Sequence, residues 1–120
     1  MNVRPFHLAL PTRDLEKTRQ FYCDVLGCET GRETQDWIDL NLFGHQLVFH
    51  VSGGEPLATT HNAVDAHSVP IPHFGVVLTP DEHRAFSQRI TGKVQMIIEP
   101  AVRFEGTTGE QRTLFFEDPN

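Results

Sequence analysis

Seven histidines stand against one tyrosine and one tryptophan in 120 residues, so imidazole chemistry is the first thing this chain offers. Two of the histidines have matching surroundings. In Phe6-His7-Leu8-Ala9-Leu10 and in Pro72-His73-Phe74-Gly75-Val76-Val77-Leu78 a histidine opens an alternating run and a small residue follows two places on. A strand repeat of two puts His7 with Ala9, and His73 with Gly75 and Val77, on one face; Phe6, Leu8 and Leu10, and Phe74, Val76 and Leu78, take the other. The less bulky face leaves room for an imidazole nitrogen to reach a divalent metal at ~2.1 Å. For either histidine alone, capping a strand end is the plainer reading. The paired placement, each followed at once by a helix signal, points to two related modules presenting their histidines to a common centre.

The remaining histidines are weaker candidates. His50 shares a strand face with Gln46 and Val48, opposite Leu47, Phe49 and Val51, on the side expected to line the enclosed space; it reads as a general base, an outer hydrogen-bonding partner, a fourth ligand or plain structure. His61 and His67 lie with Asp65 in a loop, where their spacing fits no standard metal site and solvated side chains are the simpler expectation. Arg103 and Arg112 could pair with an anionic substrate, but both read as surface arginines. Cys23 and Cys28 are too far apart for a CxxC pair and read as reduced and structural.

The elements that must position these residues follow in order. Pro11 and Thr12 are expected to break the first strand. Arg13 to Leu26 then reads as a helix with Leu15, Tyr22, Val25 and Leu26 on one stripe, closed by Gly27. Cys28 to Thr34 is an irregular or weak-strand connection. Trp37 to Phe43 alternates as a strand, Gly44-His45 reads as a two-residue turn, and Gln46 to Val51 is the return strand. Between Ser52 and Pro72 regularity is lost, and a loop of that length is usually functional or mobile. Thr79-Pro80-Asp81-Glu82 is a capping box for a helix running to about Thr91, with Gly92 ending it. Val94 to Ile98 is a strand stopped by Glu99-Pro100, residues 101–111 form a loop, and Arg112 to Glu117 is a further strand. The domain expectation is one unit over 1–120, with module one at 1–52, a crossover loop at 53–71 and module two at 72–120.

Composition narrows the partners. The net charge is −6 with a pI near 5.5, and no basic run is present, which argues against nucleic acid because that affinity rests on clustered Lys and Arg releasing counterions. No apolar stretch approaches the ~20 residues of a membrane span, and the N-terminus lacks a signal-peptide pattern, so no membrane is expected and a cytoplasmic location is.

Taken together, four marks resemble the vicinal oxygen chelate superfamily, the group of glyoxalase I, bleomycin-resistance proteins and extradiol dioxygenases. They are His7-Leu8-Ala9-Leu10-Pro11-Thr12-Arg13-Asp14-Leu15 with Phe21-Tyr22 and Val25-Leu26-Gly27-Cys28 behind it, the hairpin from Trp37 to Val48, the run from Pro72 to Leu78, and Phe115-Phe116-Glu117-Asp118-Pro119-Asn120. The resemblance implies an α+β fold of two βαβββ modules, forming a cupped mixed sheet around a divalent metal with helices outside. It implies His7 and His73 as metal ligands. The family's carboxylate ligand falls several residues beyond the Asp-Pro turn, past Asn120; Glu117 precedes that turn and does not match it. The second module is a strand short of the first, so the natural polypeptide is expected to continue with a turn and a strand carrying the carboxylate.

Where glyoxalase I-like members place a glutamate ligand, the inward positions hold Val48 and His50, which argues against glyoxalase activity itself. Two histidines and a carboxylate suit Fe(II) or Mn(II), with Zn and Ni able to take the same ligands. The implied function is a metal-dependent, dioxygenase-like oxidoreductase that polarises adjacent substrate oxygens. The alternative is a bleomycin-resistance-like protein that binds a flat or aromatic small molecule without chemistry. A homodimer is expected in either case, because an incomplete sheet leaves an edge for pairing.

Overall fold

The computed structural model describes residues 3–120 and shows a mixed α+β chain in two compact units, residues 1–56 with 118–120, and residues 57–117. Among the described residues no helix is long and apolar enough to cross a membrane.

The first unit is built on a four-stranded sheet in the order β1-β4-β3-β2, formed by β1 His7–Thr12, β2 Glu29–Glu33, β3 Trp37–Leu42 and β4 His45–Val51. β1 runs parallel to β4, and the other pairs are antiparallel. Contrary to expectation, Pro11 and Thr12 do not break β1. The strand lies at the sheet edge, where a proline's missing N–H need not interrupt a ladder, and Thr12 is buried with its Oγ1 2.9 Å from Thr18 Oγ1. The turn between β3 and β4 falls one residue earlier than expected, on Phe43-Gly44. Both have positive φ, 50° and 89°, as the twist of a tight hairpin requires. Asn41 Oδ1 accepts from the Gly44 N–H at 2.7 Å and steadies that turn.

The helix begins later than the sequence suggests. Asp14 caps it by accepting from the Lys17 N–H at 3.0 Å, so α1 spans Leu15–Arg19 and continues without a break as a wider, π-helical stretch over Gln20–Val25. Leu26 N–H donates to the Phe21 carbonyl at 3.0 Å, five residues back, and Gly27 follows at φ 85°. The widened turn carries Tyr22 onto Phe49, with ring centroids 5.1 Å apart. The core of this unit therefore lies between the helix and one sheet face, where Ile38, Leu40, Leu47 and Phe49 are all at most 2% exposed. Burying each of these side chains is worth roughly 1.5–3 kcal/mol.

The second unit departs more from expectation. The supposed loop contains a hairpin, β5 Thr60–Val64 and β6 His67–Ile71, turned on Asp65 and Ala66 at positive φ. The run from Pro72 to Leu78 forms no strand. Its alternation is strand-like, but among the described residues no neighbouring strand supplies a hydrogen-bonding ladder. α2 Pro80–Ile90 keeps the expected capping box, with Thr79 and Glu82 bonded reciprocally at 3.2 and 2.9 Å. β7 Gln95–Arg103 and β8 Gln111–Glu117 form a second hairpin. Glu99-Pro100 does not stop β7: the register shifts between Ile98 and Ala101, so the proline is absorbed in a bulge.

Candidate functional site

One face of the four-stranded sheet carries the helix. The opposite face is a grid set by the strand register. His7 pairs with Gln46 and Gln46 with Asn41; Ala9 pairs with Val48 and Val48 with Asp39; Pro11 pairs with His50 and His50 with Trp37. Because side chains alternate across a strand, all nine lie on this face. His7 and His50, both proposed from sequence, thus share one surface, two rows apart.

Each row has its own chemistry. His7 is exposed, and its Nδ1 lies 2.8 Å from Gln46 Oε1. An amide oxygen only accepts, so Nδ1 carries the hydrogen and Nε2 holds the lone pair. Asp39 in the middle row is 8% exposed; its Oδ2 accepts from Arg32 Nε at 3.0 Å and its Oδ1 lies 3.5 Å from Gln46 Nε2. In the last row the exposed His50 ring stands 6.4 Å from the half-buried indole of Trp37. The Arg32 guanidinium stands over the Trp37 ring, 5.7 Å from its centroid.

Gly31 lets β2 approach this centre, since a Cβ there would stand 3.2 Å from Asp39 Cβ. Asp39, Gln46 and Arg32 were not singled out from sequence. The available signal was a carboxylate at an interior position of an alternating strand, which requires a partner once buried.

His73 belongs to the second unit and sits outside any strand. Its Nδ1 lies 2.6 Å from the Pro70 carbonyl, and its ring meets Phe115 edge-on at 5.1 Å. Again the acceptor is a carbonyl, so Nδ1–H donates and Nε2 keeps its lone pair. This is the tautomer in which an imidazole ligates a divalent ion through Nε2 while its other nitrogen is held by an acceptor. His45 has the opposite arrangement: its Nδ1 accepts from the Phe6 N–H at 2.8 Å, which fixes the start of β1 and leaves Nδ1 no hydrogen. Among the described residues, no three His, Cys, Asp or Glu side chains gather as a metal-binding group.

The weaker candidates resolve differently. His61 and His67 occupy β5 and β6, paired opposite Pro70 and Val64. Asp65 in their turn accepts from the Phe104 N–H at 2.8 Å and faces Arg103 Nε at 3.7 Å. Arg103 is not a surface arginine: it is 3% exposed, and its Nη2 donates to the Val64 carbonyl at 2.8 Å. The reason is structural, since Arg103 ties the β5–β6 turn to the end of β7. Arg112 is exposed and lines a shallow cavity with His83, Arg84 and Ser87. Cys23 and Cys28 are both half-buried, and burial pushes the Cys23 thiol up, away from the reactive thiolate.

A model of the Glyoxalase/Bleomycin resistance protein/Dioxygenase superfamily matches residues 4–120. Among solved structures, a glyoxalase/bleomycin resistance protein/dioxygenase from Alicyclobacillus acidocaldarius is 32% identical with a TM-score of 0.79, covering 96% of this chain and 83% of that one. The fosfomycin resistance protein FosX from Listeria monocytogenes is 19% identical with a TM-score of 0.67, covering 98% and 85%. A mutant of FosX, solved with Mn(II) and 1S,2S-dihydroxypropylphosphonic acid, gives a TM-score of 0.64 at 19% identity, covering 98% and 86%. No match is found among curated proteins. With nearly every residue matched, the chain belongs to the Glyoxalase/Bleomycin resistance protein/Dioxygenase superfamily.

Proposed function

We propose that this chain is a metal-dependent small-molecule enzyme of the vicinal oxygen chelate type, closer to the dioxygenases than to glyoxalase. His7 and His73 are its proposed metal ligands, with Fe(II) or Mn(II) favoured over Zn or Ni. The observation that carries this reading is the matched state of the two imidazoles. Each has Nδ1 committed to an oxygen acceptor, at 2.8 and 2.6 Å, and keeps Nε2 for a ligand bond. The bound ion would supply Lewis-acid polarisation of two adjacent substrate oxygens. The FosX mutant was solved in complex with Mn(II) and a dihydroxylated small molecule, which supports that substrate class.

The chain's own residues have separate tasks. His50, exposed on the face that carries His7, is placed to take or return a substrate proton. The Trp37 ring offers a flat surface for an aromatic or otherwise planar substrate, and the Arg32 guanidinium beside it a positive charge for an anionic one. The open segment from Pro72 to Leu78, with Val77 99% exposed and Phe74 43% exposed, supports pairing as a homodimer. Sedimentation giving only monomer at tens of micromolar, roughly where a stable dimer persists, would remove that part.

A second reading is favoured by the Trp37 and Arg32 surface, which can stack a flat molecule with no metal at all: a binding protein without turnover. The two separate in one experiment. Protein loaded with Fe(II) or Mn(II) is given a panel of catechols and vicinal diols, while product formation, oxygen uptake and calorimetric binding are followed. Metal-dependent turnover supports the enzyme; equal binding by metal-free and loaded protein, with no product, establishes the binder.

A further inference from the structure

We propose that Gln46 and Asp39 are positioning residues that set the tautomer of His7, through an ordered chain running Arg32 to Asp39 to Gln46 to His7. The proposal deepens the reading of His7 as a ligand and rests on it for its purpose, but the tautomer itself is a property of the metal-free protein.

The argument begins with which atoms can donate. Gln46 has an amide that could face His7 with either end, and the two choices have opposite consequences. With Oε1 toward the ring, Nδ1 is protonated and Nε2 is free to bind a metal. With Nε2 toward the ring, Nδ1 must accept and Nε2 carries the hydrogen, the wrong form for a ligand. Asp39 breaks the tie. A carboxylate only accepts, so the end of Gln46 near Asp39 Oδ1, at 3.5 Å, is the nitrogen, and the oxygen is left 2.8 Å from His7 Nδ1.

Strand register makes this reach inevitable. Gln46 pairs with Asn41 and Asp39 pairs with Val48, so Gln46 and Asp39 are diagonal neighbours on one face, within range of a long side chain. Gly31 keeps β2 close enough for Arg32 to meet Asp39 Oδ2 at 3.0 Å. That contact offsets the cost of holding a carboxylate at 8% exposure.

The test is the tautomer of each histidine read by long-range 15N–1H NMR on metal-free protein, above the titration of the imidazoles. His7 is assigned by comparison with His7→Gln. The expected result is Nδ1–H at His7 in the wild type and Nε2–H at His45, an internal control. In Asp39→Asn the new amide can donate, the constraint on Gln46 is lifted, and His7 shifts toward the Nε2–H form. Gln46→Glu added to Asp39→Asn restores Nδ1–H, because a carboxylate accepts in either orientation; a merely structural loss would not be rescued.

The proposal is overturned if wild-type His7 is Nε2–H, or if folded Asp39→Asn keeps Nδ1–H. If Asp39→Asn does not fold, Gln46→Leu serves in its place, and retention of Nδ1–H there overturns the proposal equally. Mn(II) affinity should fall about 10–100-fold in the single variants, the usual effect of losing a ligand's hydrogen-bond partner. If the wild type binds no Mn(II) while the tautomers behave as described, the functional reading fails and the positioning chain stands.

Discussion

Tyr22 donates its phenolic hydrogen to Asp118 Oδ2 at 2.7 Å, across 96 positions of sequence. The bond closes the first unit on itself, bringing residues 118–120 against the helix that covers the sheet. Asn120 adds a second tie through Nδ2, 3.2 Å from Thr18 Oγ1.

Tyr22→Phe should therefore remove the phenolic donor to Asp118 Oδ2 and lower stability by about 1.5–3 kcal/mol, as for hydrogen bonds to charged groups. Urea unfolding measures this directly.

The same contact predicts a response to alkali. Burial, followed by the charge and hydrogen bond of Asp118, holds the Tyr22 hydroxyl protonated far above the usual phenol range. An unfolded tyrosine ionises near pH ~10, so the unfolded state loses protons that the folded state retains. The stabilisation is complete below that value and is lost as pH rises above it. Tyr22→Phe should show a shallower alkaline decline in urea midpoint than the wild type; identical slopes would contradict the assignment.

Phe49 is fully buried between Tyr22 and the sheet. Truncation to Ala should cost about 3–5 kcal/mol, and far less would mean that the helix does not pack where it is described.

Thr79→Ala removes the side chain that accepts from the Glu82 N–H, at an expected cost of about 1 kcal/mol. Hydrogen bonds from Thr79, chiefly its backbone N–H, hold the Glu82 carboxyl below the usual carboxylate range. That contribution is present above the unfolded carboxylate pKa and disappears as pH falls through the folded one. Glu82→Gln should thus be most destabilising near neutrality and converge on the wild type in acid, as thermal unfolding across pH would show.

Local pattern was legible where the partner of each element lies nearby in sequence. The β3–β4 hairpin and the Thr79 capping box need only residues a few places apart, and both were readable to within a residue. The run from Pro72 to Leu78 shows the limit: alternation states which residues would share a face, but a strand exists only where another strand offers its N–H and C=O groups. Pro11 and Pro100 misled for the same reason, because their tolerance depends on a sheet edge and on a bulge, which are properties of pairing. At the site, periodicity set His7 opposite Phe6, Leu8 and Leu10, and His50 opposite Leu47, Phe49 and Val51, but only the β1–β4 register puts the two on one face. Asp39 could not be matched with Gln46 or Arg32, since that meeting is diagonal across register and depends on Gly31 drawing β2 close.

The most direct test of the account is metal content measured on the purified protein after equilibration with Fe(II) or Mn(II) and removal of free ion. The account predicts bound metal in the wild type, and its loss in His7→Ala, in His73→Ala and in the double variant. Retention of stoichiometric metal by a folded double variant would contradict it.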